Sequence, residues 1–239
     1  MADDPILTVD GLTAGYADTQ VLTDVDVTVD EGEVVTMLGP NGAGKSTLMN
    51  SIYGFASVSD GRIRLRGEDI TDAEPVDMLR RGVGYVMQDP SIFPKMSVDE
   101  NLMMGGFVLN DDDRARELVE ETYEDFDRLA DRRDQQASTL SGGERRLLEL
   151  ARTLLLDPEF VLFDEPSIGL EPTYVEMVFD RIRALNDAGK TVLVVEQNAD
   201  VALEVSDRGY VISDGEIRFE GDATRILEDE DVGRLYLGG

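Results

Sequence analysis

Residues 39–46, which read Gly-Pro-Asn-Gly-Ala-Gly-Lys-Ser, constrain the fold of this chain more than any other stretch. They follow the apolar run 34–38 and lead into residues 47–52, so the sequence predicts a buried strand, a glycine loop and a helix in that order. Glycines let successive backbone N–H groups point at an anion, and the helix beginning near Lys45 adds the positive end of its dipole. We call residues 39–46 the phosphate loop.

The side chains at the end of the phosphate loop suit a nucleotide bound with a divalent cation. Lys45 supplies a charge for the β- and γ-phosphates, and the Ser46 hydroxyl is a hard oxygen ligand for Mg²⁺. A chance match on an ordinary strand, turn and helix is the alternative, and the required flanks disfavour it. The predicted nucleotide-binding residues here are Gly39, Pro40, Asn41, Gly42, Ala43, Gly44, Lys45, Ser46 and Thr47.

A second half of a nucleotide site is predicted where the apolar run 160–163 ends in Asp164 and Glu165. A strand end can bring Asp164 beside the phosphate loop, where it can hold Mg²⁺ directly or through water. Glu165 can polarise the water that attacks the γ-phosphate. Strand ends often carry acids for other reasons, so this assignment depends on the phosphate loop being present.

Residues 140–144, Leu-Ser-Gly-Gly-Glu, form a third element, which we call the signature segment. Two glycines before a helix again expose N–H groups at a positive dipole end, so Ser141, Gly142 and Gly143 are candidate phosphate-binding residues. An ordinary helix N-cap, with Glu144 at the third helical position, explains the same pattern, and both descriptions can hold together. A second phosphate-binding element about a hundred residues from the first would be puzzling within one site.

Composition narrows the class of protein. The chain has 239 residues, enough for one large α/β domain or a domain with an inserted subdomain, and its net charge is −29. That charge disfavours nucleic acid as a partner. The sequence contains no cysteine and no apolar run of about 18 residues, and its start does not resemble a signal peptide. We therefore expect no disulfide and no membrane span, and the cytoplasm is the default location.

The order of predicted elements indicates an α/β core interrupted by a helical insertion. Predicted strands cover residues 6–9, 21–29, 33–38, 61–67, 84–87, 160–163 and 191–195, with a turn at 11–15 and a hairpin 209–213/216–220 around Asp214-Gly215. Predicted helices begin at Ser97 and cover 113–130, 144–156, 173–188 and 199–206, with one or two short helices in 223–237. The predicted division is a core of residues 1–88 and 151–239 and a helical subdomain of residues 89–150.

The phosphate loop, the signature segment and Asp164-Glu165 together resemble the ATP-binding cassette (ABC) ATPases over essentially the whole chain. The resemblance implies an α/β fold with a P-loop (RecA-like) ABC ATPase core, an antiparallel β subdomain and an inserted α-helical subdomain. It also implies ATP and Mg²⁺ as cofactors and two cassettes closing head to tail, so that Ser141 and Gly143 act on the partner's nucleotide. Tyr16 is implied to stack on adenine, and Gln88 to join Ser46 and Asp164 around Mg²⁺.

Several C-terminal stretches are similar to one of the two ATPases of branched-chain amino-acid importers; they are residues 165–170, 194–199, 207–211 and 230–238. This similarity implies a sibling ATPase in a heterodimer (self-association being the alternative), two transmembrane permease subunits and an extracytoplasmic solute-binding protein that takes part indirectly. It implies a peripheral place on the cytoplasmic face of the membrane. Phe93-Pro94 and the helical insertion would then form the groove for a permease helix.

One departure concerns the residue after the strand at 191–195, where most ABC ATPases carry a histidine that contacts the γ-phosphate. This chain has no histidine, and Gln197 stands there, as in the importer subfamily that it resembles. Glutamine can donate a hydrogen bond but cannot become cationic. With Glu165 present we still expect hydrolysis, with Glu165, Gln88 and Gln197 as the candidate catalytic residues.

Four functions remain open from the sequence. The favoured one is the motor of an importer. A second is the ATPase of another transporter, such as a lipopolysaccharide-type exporter, whose ATPases usually keep the histidine. A third is a non-transport cassette acting on DNA or ribosomes, which the acidic surface and single cassette disfavour. A fourth is a nucleotide-gated regulatory cassette with little hydrolysis, which Gln197 keeps open.

Overall fold

The computed structural model describes residues 5–228, which contain ten strands and nine α-helices. The strands are β1 (Leu7–Tyr16), β2 (Thr19–Val29), β3 (Val34–Leu38), β4 (Ser57–Leu65), β5 (Glu68–Asp69), β6 (Val83–Val86), β7 (Phe160–Asp164), β8 (Thr191–Glu196), β9 (Arg208–Ser213) and β10 (Glu216–Asp222). The helices are α1 (Lys45–Ile52), α2 (Pro75–Arg80), α3 (Val98–Gly105), α4 (Asp112–Asp125), α5 (Asp127–Ala130), α6 (Gly142–Leu154), α7 (Pro172–Asp187), α8 (Ala199–Leu203) and α9 (Ala223–Glu228).

A six-stranded sheet in the order β10-β9-β3-β8-β7-β6 forms the centre of the molecule. Its strands pair in parallel except for the antiparallel β9–β10 hairpin, which turns at the predicted Asp214-Gly215. Every residue of β3, β6, β7 and β8 is buried, as expected for parallel strands covered on both faces. The carboxyl ends of β3, β7 and β6 therefore meet at one edge of the sheet, where ligands bind in open α/β sheets.

A second, antiparallel sheet in the order β2-β1-β4-β5 covers one face of the central sheet. The predicted turn at residues 11–15 is wrong, because β1 continues through it to Tyr16. The chain absorbs the irregularity as shifts in strand register after Val9 and Asp10, and Gly11 adopts a φ of 55°. Glycine in a strand often marks such a bulge, so Gly11 marks an irregularity within β1 and not the predicted turn.

The α-helices α3 to α6 follow one another between β6 and β7 without an intervening strand, and we call residues 98–154 the helical segment. Ser97 caps α3 with the predicted capping box, in which Glu100 reaches back to the Ser97 N–H. The predicted helix 113–130 is broken at Phe126, whose φ of −129° and ψ of 62° are not helical. Helix α6 begins at Gly142 and runs to Leu154, so it crosses the predicted subdomain boundary at residue 150. The exact division into subdomains stays a prediction.

Two hydrophobic clusters lie on opposite faces of the central sheet. One joins that sheet to β1, β2, β4, α1 and α2, and the other joins it to the helical segment and to α7, α8 and α9. The predicted helix 199–206 ends at Leu203, and α9 covers only the first residues of the predicted 223–237 segment, the rest of which lies outside the described residues. Among residues 5–228, no helix combines the length and the hydropathy needed to cross a membrane.

Candidate functional site

The phosphate loop joins β3 to α1 as the sequence predicts. Gly44, the N-cap of α1, has a φ of 110°, and Gly42 has a φ of 80°, so both need the conformational freedom of glycine. A Cβ on Gly44 would lie 2.6 Å from Leu22 Cδ2. The loop is also tied to the β9–β10 hairpin, since the Gly215 N–H donates to the Ala43 carbonyl at 3.0 Å. The loop is therefore a shaped backbone element rather than an open turn.

Lys45 is 3% exposed, and its side chain folds back over the phosphate loop. Its ammonium group donates to the Gly39 carbonyl at 2.7 Å and to the Pro40 carbonyl at 3.2 Å. It also forms an ion pair with Glu165 at 3.2 Å. This ion pair joins the two halves of the predicted site.

Asp164 and Glu165 follow one another at the end of β7 and face different partners. Asp164 Oδ1 accepts a 3.0 Å hydrogen bond from the Ser46 hydroxyl. Glu165 Oε2 accepts one of 3.1 Å from the Gln88 amide. Glu165 also has a φ of 43°, a left-handed conformation that costs a non-glycine residue of order 1 kcal/mol and is found most often at functional sites. Burial raises the pKa of Asp164, and the bonds from Ser46 and Tyr85 oppose that rise.

A cavity of 440 Å³ opens over these groups and is lined by Val21, Asn41–Thr47, Gln88, Glu165 and Ile168. Its floor carries backbone N–H groups of the phosphate loop, and its wall carries the amide of Gln88 and the carboxylate of Glu165. Such a concave site with a few convergent polar groups is typical of small-ligand pockets. A cavity of 420 Å³ beside Phe126 and one of 550 Å³ beside Arg62 lie elsewhere on the described surface and lack these groups.

Tyr16, the predicted adenine platform, lies at the end of β1 and is 42% exposed. It does not line the phosphate-loop cavity. Its hydroxyl accepts a 2.6 Å hydrogen bond from Asn50 on α1, and the Asn50 oxygen lies 3.1 Å from the Tyr85 hydroxyl. That hydroxyl also lies 3.2 Å from Asp164 Oδ2. A chain of polar contacts therefore connects Tyr16 to the carboxylate behind the phosphate loop.

The signature segment forms the N-terminus of α6. The Glu144 N–H donates to the Ser141 hydroxyl at 3.2 Å, and Glu144 accepts from the Ser141 N–H at 2.8 Å, so the capping box is complete. Arg132 pairs with Glu144 at 2.7 Å. Ser141 and Gly142 are exposed, whereas Gly143 packs under Tyr174. Within residues 5–228, no hydrogen bond or ion pair joins this segment to the phosphate loop of the same chain.

Gln197 follows β8 and is exposed, and it lines a 220 Å³ cavity together with Glu165 and Ser167. Its neighbour Glu196 is 2% exposed. Glu196 accepts hydrogen bonds from the N–H groups of Ser167 at 2.9 Å and Gln197 at 3.1 Å. The carboxylate of Glu196 thus holds the loops after β7 and β8 together.

The sequence did not single out three residues that the structure places against the site: Tyr85, Arg146 and Glu196. Tyr85 and Glu196 belong to buried strands, where a polar side chain needs a partner, and that was an available signal. Arg146 lies on the buried side of α6 and contacts the backbone around Asp164 and Glu165. Its role depends on contacts between distant segments that the sequence does not display.

The residues that would hold Mg²⁺ fit that ion. Ser46 and Asp164 offer a hydroxyl and a carboxylate in direct contact, and Gln88 adds an amide oxygen nearby. Mg²⁺ takes few ligands from protein and keeps water and phosphate oxygens for the rest. Among residues 5–228, no group of three or more His, Cys, Asp or Glu is arranged for a metal ion.

Comparison with known proteins assigns the family. A family model described as ABC transporter matches residues 22–168. The chain belongs to the ABC transporter family. This cassette is an ATPase of that family and carries the α/β cassette fold. A nucleotide-free ATP-binding cassette superposes with a TM-score of 0.83 at 31% identity over 95% of this chain and 97% of the other. An ADP-bound cassette gives a TM-score of 0.84 at 31% identity over 98% and 99%.

Curated relatives match the cassette almost end to end. The branched-chain amino acid transport ATP-binding protein BraG of Pseudomonas aeruginosa is 38% identical over 98% of this chain and 100% of its own length. The probable branched-chain amino acid transport protein LivF of Archaeoglobus fulgidus is 37% identical over 95% and 96%. The lipopolysaccharide export protein LptB of Escherichia coli is 40% identical over 97% of each chain. Branched-chain amino acid transport and lipopolysaccharide export are therefore both represented among similar proteins.

Proposed function

We propose that this cassette hydrolyses MgATP at the phosphate loop with Glu165 as the general base. The observation that carries the proposal is the position of Glu165, whose carboxylate lies between Lys45 at 3.2 Å and Gln88 at 3.1 Å. A carboxylate there can orient and polarise a water beside a γ-phosphate that lies on the loop. The backbone N–H groups of the loop and Lys45 bind the phosphates, and Gln88 fixes Glu165 from the other side.

Mg²⁺ would be held by Ser46 and Asp164, with Gln88 as a further oxygen ligand, and when bound it neutralises charge on the β- and γ-phosphates. The Ser46–Asp164 contact of 3.0 Å supports this pair. Tyr16 is the proposed adenine platform, and the hydrogen bond from Asn50 to its hydroxyl holds the ring in place. Gln197 is the proposed contact to the γ-phosphate after β8, near Glu165 in the smaller cavity.

The test of the hydrolytic role is phosphate release by the wild-type protein and by Glu165→Gln, with MgATP binding followed by calorimetry. General bases contribute roughly 10²–10⁴-fold, so the variant should bind MgATP and lose hydrolysis by at least about 100-fold. Equal turnover in the two proteins would remove Glu165 from the mechanism. Loss of binding as well as turnover would assign Glu165 to ligand affinity instead.

The signature segment is proposed to complete the site of a second cassette, which is either a sibling ATPase or a second copy of this chain. Ser141 and Gly142 are exposed, and the segment makes no contact with its own phosphate loop within the described residues. Exposed N–H groups at the start of a helix suit a phosphate supplied from outside. ATP would then close the pair of cassettes, and hydrolysis would reopen it.

We further propose a place for the cassette in an importer of branched-chain amino acids, with two transmembrane permeases and an extracytoplasmic solute-binding protein. BraG and LivF support this substrate class along nearly the whole chain. The absence of histidine also favours it over an exporter, because Gln197 stands where exporter ATPases usually keep histidine. The cassette would lie at the cytoplasmic face, with Phe93 and a 270 Å³ cavity beside α3 receiving a permease helix.

A lipopolysaccharide-type exporter is the second candidate, favoured by the 40% identity to LptB. The two are separated by ATPase stimulation. The cassette is co-purified with a branched-chain amino-acid permease pair and, in parallel, with a lipopolysaccharide-export permease pair. Stimulation by the first pair and leucine uptake into vesicles support import, and stimulation by the second pair alone would assign export.

The acidic surface is proposed to be an adaptation to high salt. The chain carries 51 acidic residues against 22 basic ones, and most of its ion pairs lie on exposed side chains. Salt screens the repulsion between such charges. We expect circular dichroism to report loss of folding below about 0.5 M KCl. Full stability in dilute buffer would reject the proposal.

A further inference from the structure

Arg146 lies inside the molecule where the signature helix α6 meets the ends of β6 and β7. Its exposed fraction is 3%. A guanidinium group has five N–H donors in one plane, and those of Arg146 all point at acceptors. The acceptors are the carbonyls of Met87, Asp164, Glu165 and Pro166 and the carboxylate of Glu149.

Four of these acceptors are backbone carbonyls around the proposed catalytic groups. The Met87 carbonyl immediately precedes Gln88, and Nη1 of Arg146 donates to it. Nη2 donates to the carbonyls of Asp164 and Glu165, each at 3.2 Å. Arg146 therefore bridges the two chain segments whose side chains meet in the Gln88–Glu165 contact.

The bridge is needed because these carbonyls lie where the strands end. Strands β6 and β7 pair in parallel only as far as Val86 and Phe163, so their ladder does not join Met87 to the residues after Phe163, which pair with β8 instead. A buried carbonyl without a donor is destabilising, and a single planar group that donates to several carbonyls sets their spacing as well. The distance between Gln88 and Glu165 thus depends on a side chain from a different element.

Glu149 is the counter-ion of Arg146 and is 0% exposed. It accepts from Arg146 at 2.7 Å and from the Ser91 N–H at 3.1 Å. A buried ion pair is a poor source of stability, because replacing it with apolar residues is often neutral or stabilising. Stability alone does not account for a charge pair at this position, whereas the need for several directed donors does.

We propose that Arg146 is a positioning residue for ATP hydrolysis, which holds the backbone beside Gln88 and Glu165 so that their side chains meet over the phosphate loop. The inference rests on the proposed role of Glu165. Glu149 and Ser91 extend the same network along the segment after β6. Because Arg146 is only three residues beyond Gly143 on α6, the network also joins the signature segment to the catalytic groups of its own chain.

The deciding variant is Arg146→Lys, which keeps a positive charge beside Glu149 but has three donors that do not lie in one plane. Misplacement of a reacting group by about 1 Å can cost about 100-fold in rate. We therefore expect kcat to fall by about tenfold or more while KM for MgATP stays within about twofold. The double variant Arg146→Met/Glu149→Leu should retain its fold and show the same loss of kcat.

The control is Arg208→Lys, which also changes the arginine of an ion pair, here the partly buried pair of Arg208 with Glu33 at 2.8 Å at the opposite end of β3. It should lower the melting temperature and leave kcat unchanged. The turnover of Glu165→Gln is measured in the same experiment, so that a failure of the proposed role of Glu165 can be told apart from a failure of the proposed role of Arg146. Suppose that Glu165→Gln abolishes turnover. The positioning role is then overturned if the Arg146→Lys variant is folded and has the kcat of the wild type. It is equally overturned if kcat falls only in proportion to the folded fraction.

Discussion

The phosphate loop and the signature segment are both glycine-containing loops that begin a helix, yet the protein surrounds them differently. The phosphate loop is backed by Lys45, Asp164 and Glu165 and lies at the edge of the central sheet. The signature segment is capped by its own residues Ser141 and Glu144 and faces outward. One loop lies beside charged and hydroxyl side chains of its own chain, whereas the other presents mainly the start of a helix to solvent. The difference supports the proposal that this chain carries two unlike half-sites.

The largest expected effect follows from changing the outward half. Ser141→Arg places a bulky cation over the signature segment without touching the phosphate loop of the same chain. We expect MgATP affinity of the isolated cassette to stay within about twofold, and hydrolysis to fall by about 100-fold or more because the closed geometry is lost. Calorimetry and phosphate release measure the two quantities. A parallel loss of both would mean that the segment acts on its own chain's nucleotide.

The opposite pattern is expected for Lys45→Met in the phosphate loop. A charge-assisted hydrogen bond contributes about 1.5–3 kcal/mol, which corresponds to a loss of about 10- to 150-fold in MgATP affinity. Calorimetry on the isolated cassette checks the value. Unchanged affinity would show that Lys45, which bonds to loop carbonyls and to Glu165, does not reach the phosphates.

Glycine-to-alanine substitutions compare the two loops without changing charge. Gly44 has a φ of 110° and its Cβ would press on Leu22, so Gly44→Ala should lower the free energy of unfolding by about 1–3 kcal/mol. Gly142 has no atom within 4 Å of an added Cβ, so Gly142→Ala should stay within about 0.5 kcal/mol of wild type. Denaturant titration measures both. Equal losses would contradict the contrast between a constrained and an open loop.

The smallest expected effect is a dependence of stability on pH, and it concerns the ion pair of Arg146 with Glu149. Burial raises the pKa of Glu149 above its ordinary 4.5, and Arg146 opposes that rise. In Arg146→Met the pKa rises further, so the folded state holds a proton that the unfolded state has released above about pH 4.5. The free energy of unfolding then falls as pH increases through that window.

The stability deficit of Arg146→Met relative to wild type should therefore be larger near pH 8 than near pH 5. Thermal melts at both pH values check the sign, and Arg208→Lys serves as a control whose deficit does not involve Glu149. A deficit that is the same at both pH values would show that Glu149 does not titrate in the variant.

The sequence predicted what is local and missed what joins distant segments. The phosphate loop, the α3 capping box and the turn at Asp214-Gly215 follow from a few neighbouring residues, and the structure contains them. The strand through Gly11 was missed because a glycine with positive φ suits a bulge as well as a turn. The break at Phe126 was missed because the apolar period continues across it.

In the candidate site, too, the features set by neighbouring residues could be predicted, and the contacts between distant segments could not. Asp164 and Glu165 could be proposed from the end of an apolar run, because the carboxyl ends of parallel strands share one edge of the sheet. The ion pair of Lys45 with Glu165 and the contacts of Arg146 could not be proposed, since each joins elements separated by intervening helices. Glu196 ends a buried strand just as Asp164 does, and its importance was hidden because its partners are backbone N–H groups.

We propose that two unlike half-sites become one catalytic site only between two cassettes. The most direct measurement is light scattering after size exclusion of Glu165→Gln with MgATP in high salt, with Glu165→Gln/Ser141→Arg as the control. We expect an ATP-dependent two-cassette species, formed by this chain alone or on addition of a sibling cassette, that the Ser141 substitution abolishes. A chain that stays monomeric in both settings, or a dimer that tolerates Ser141→Arg, would contradict it.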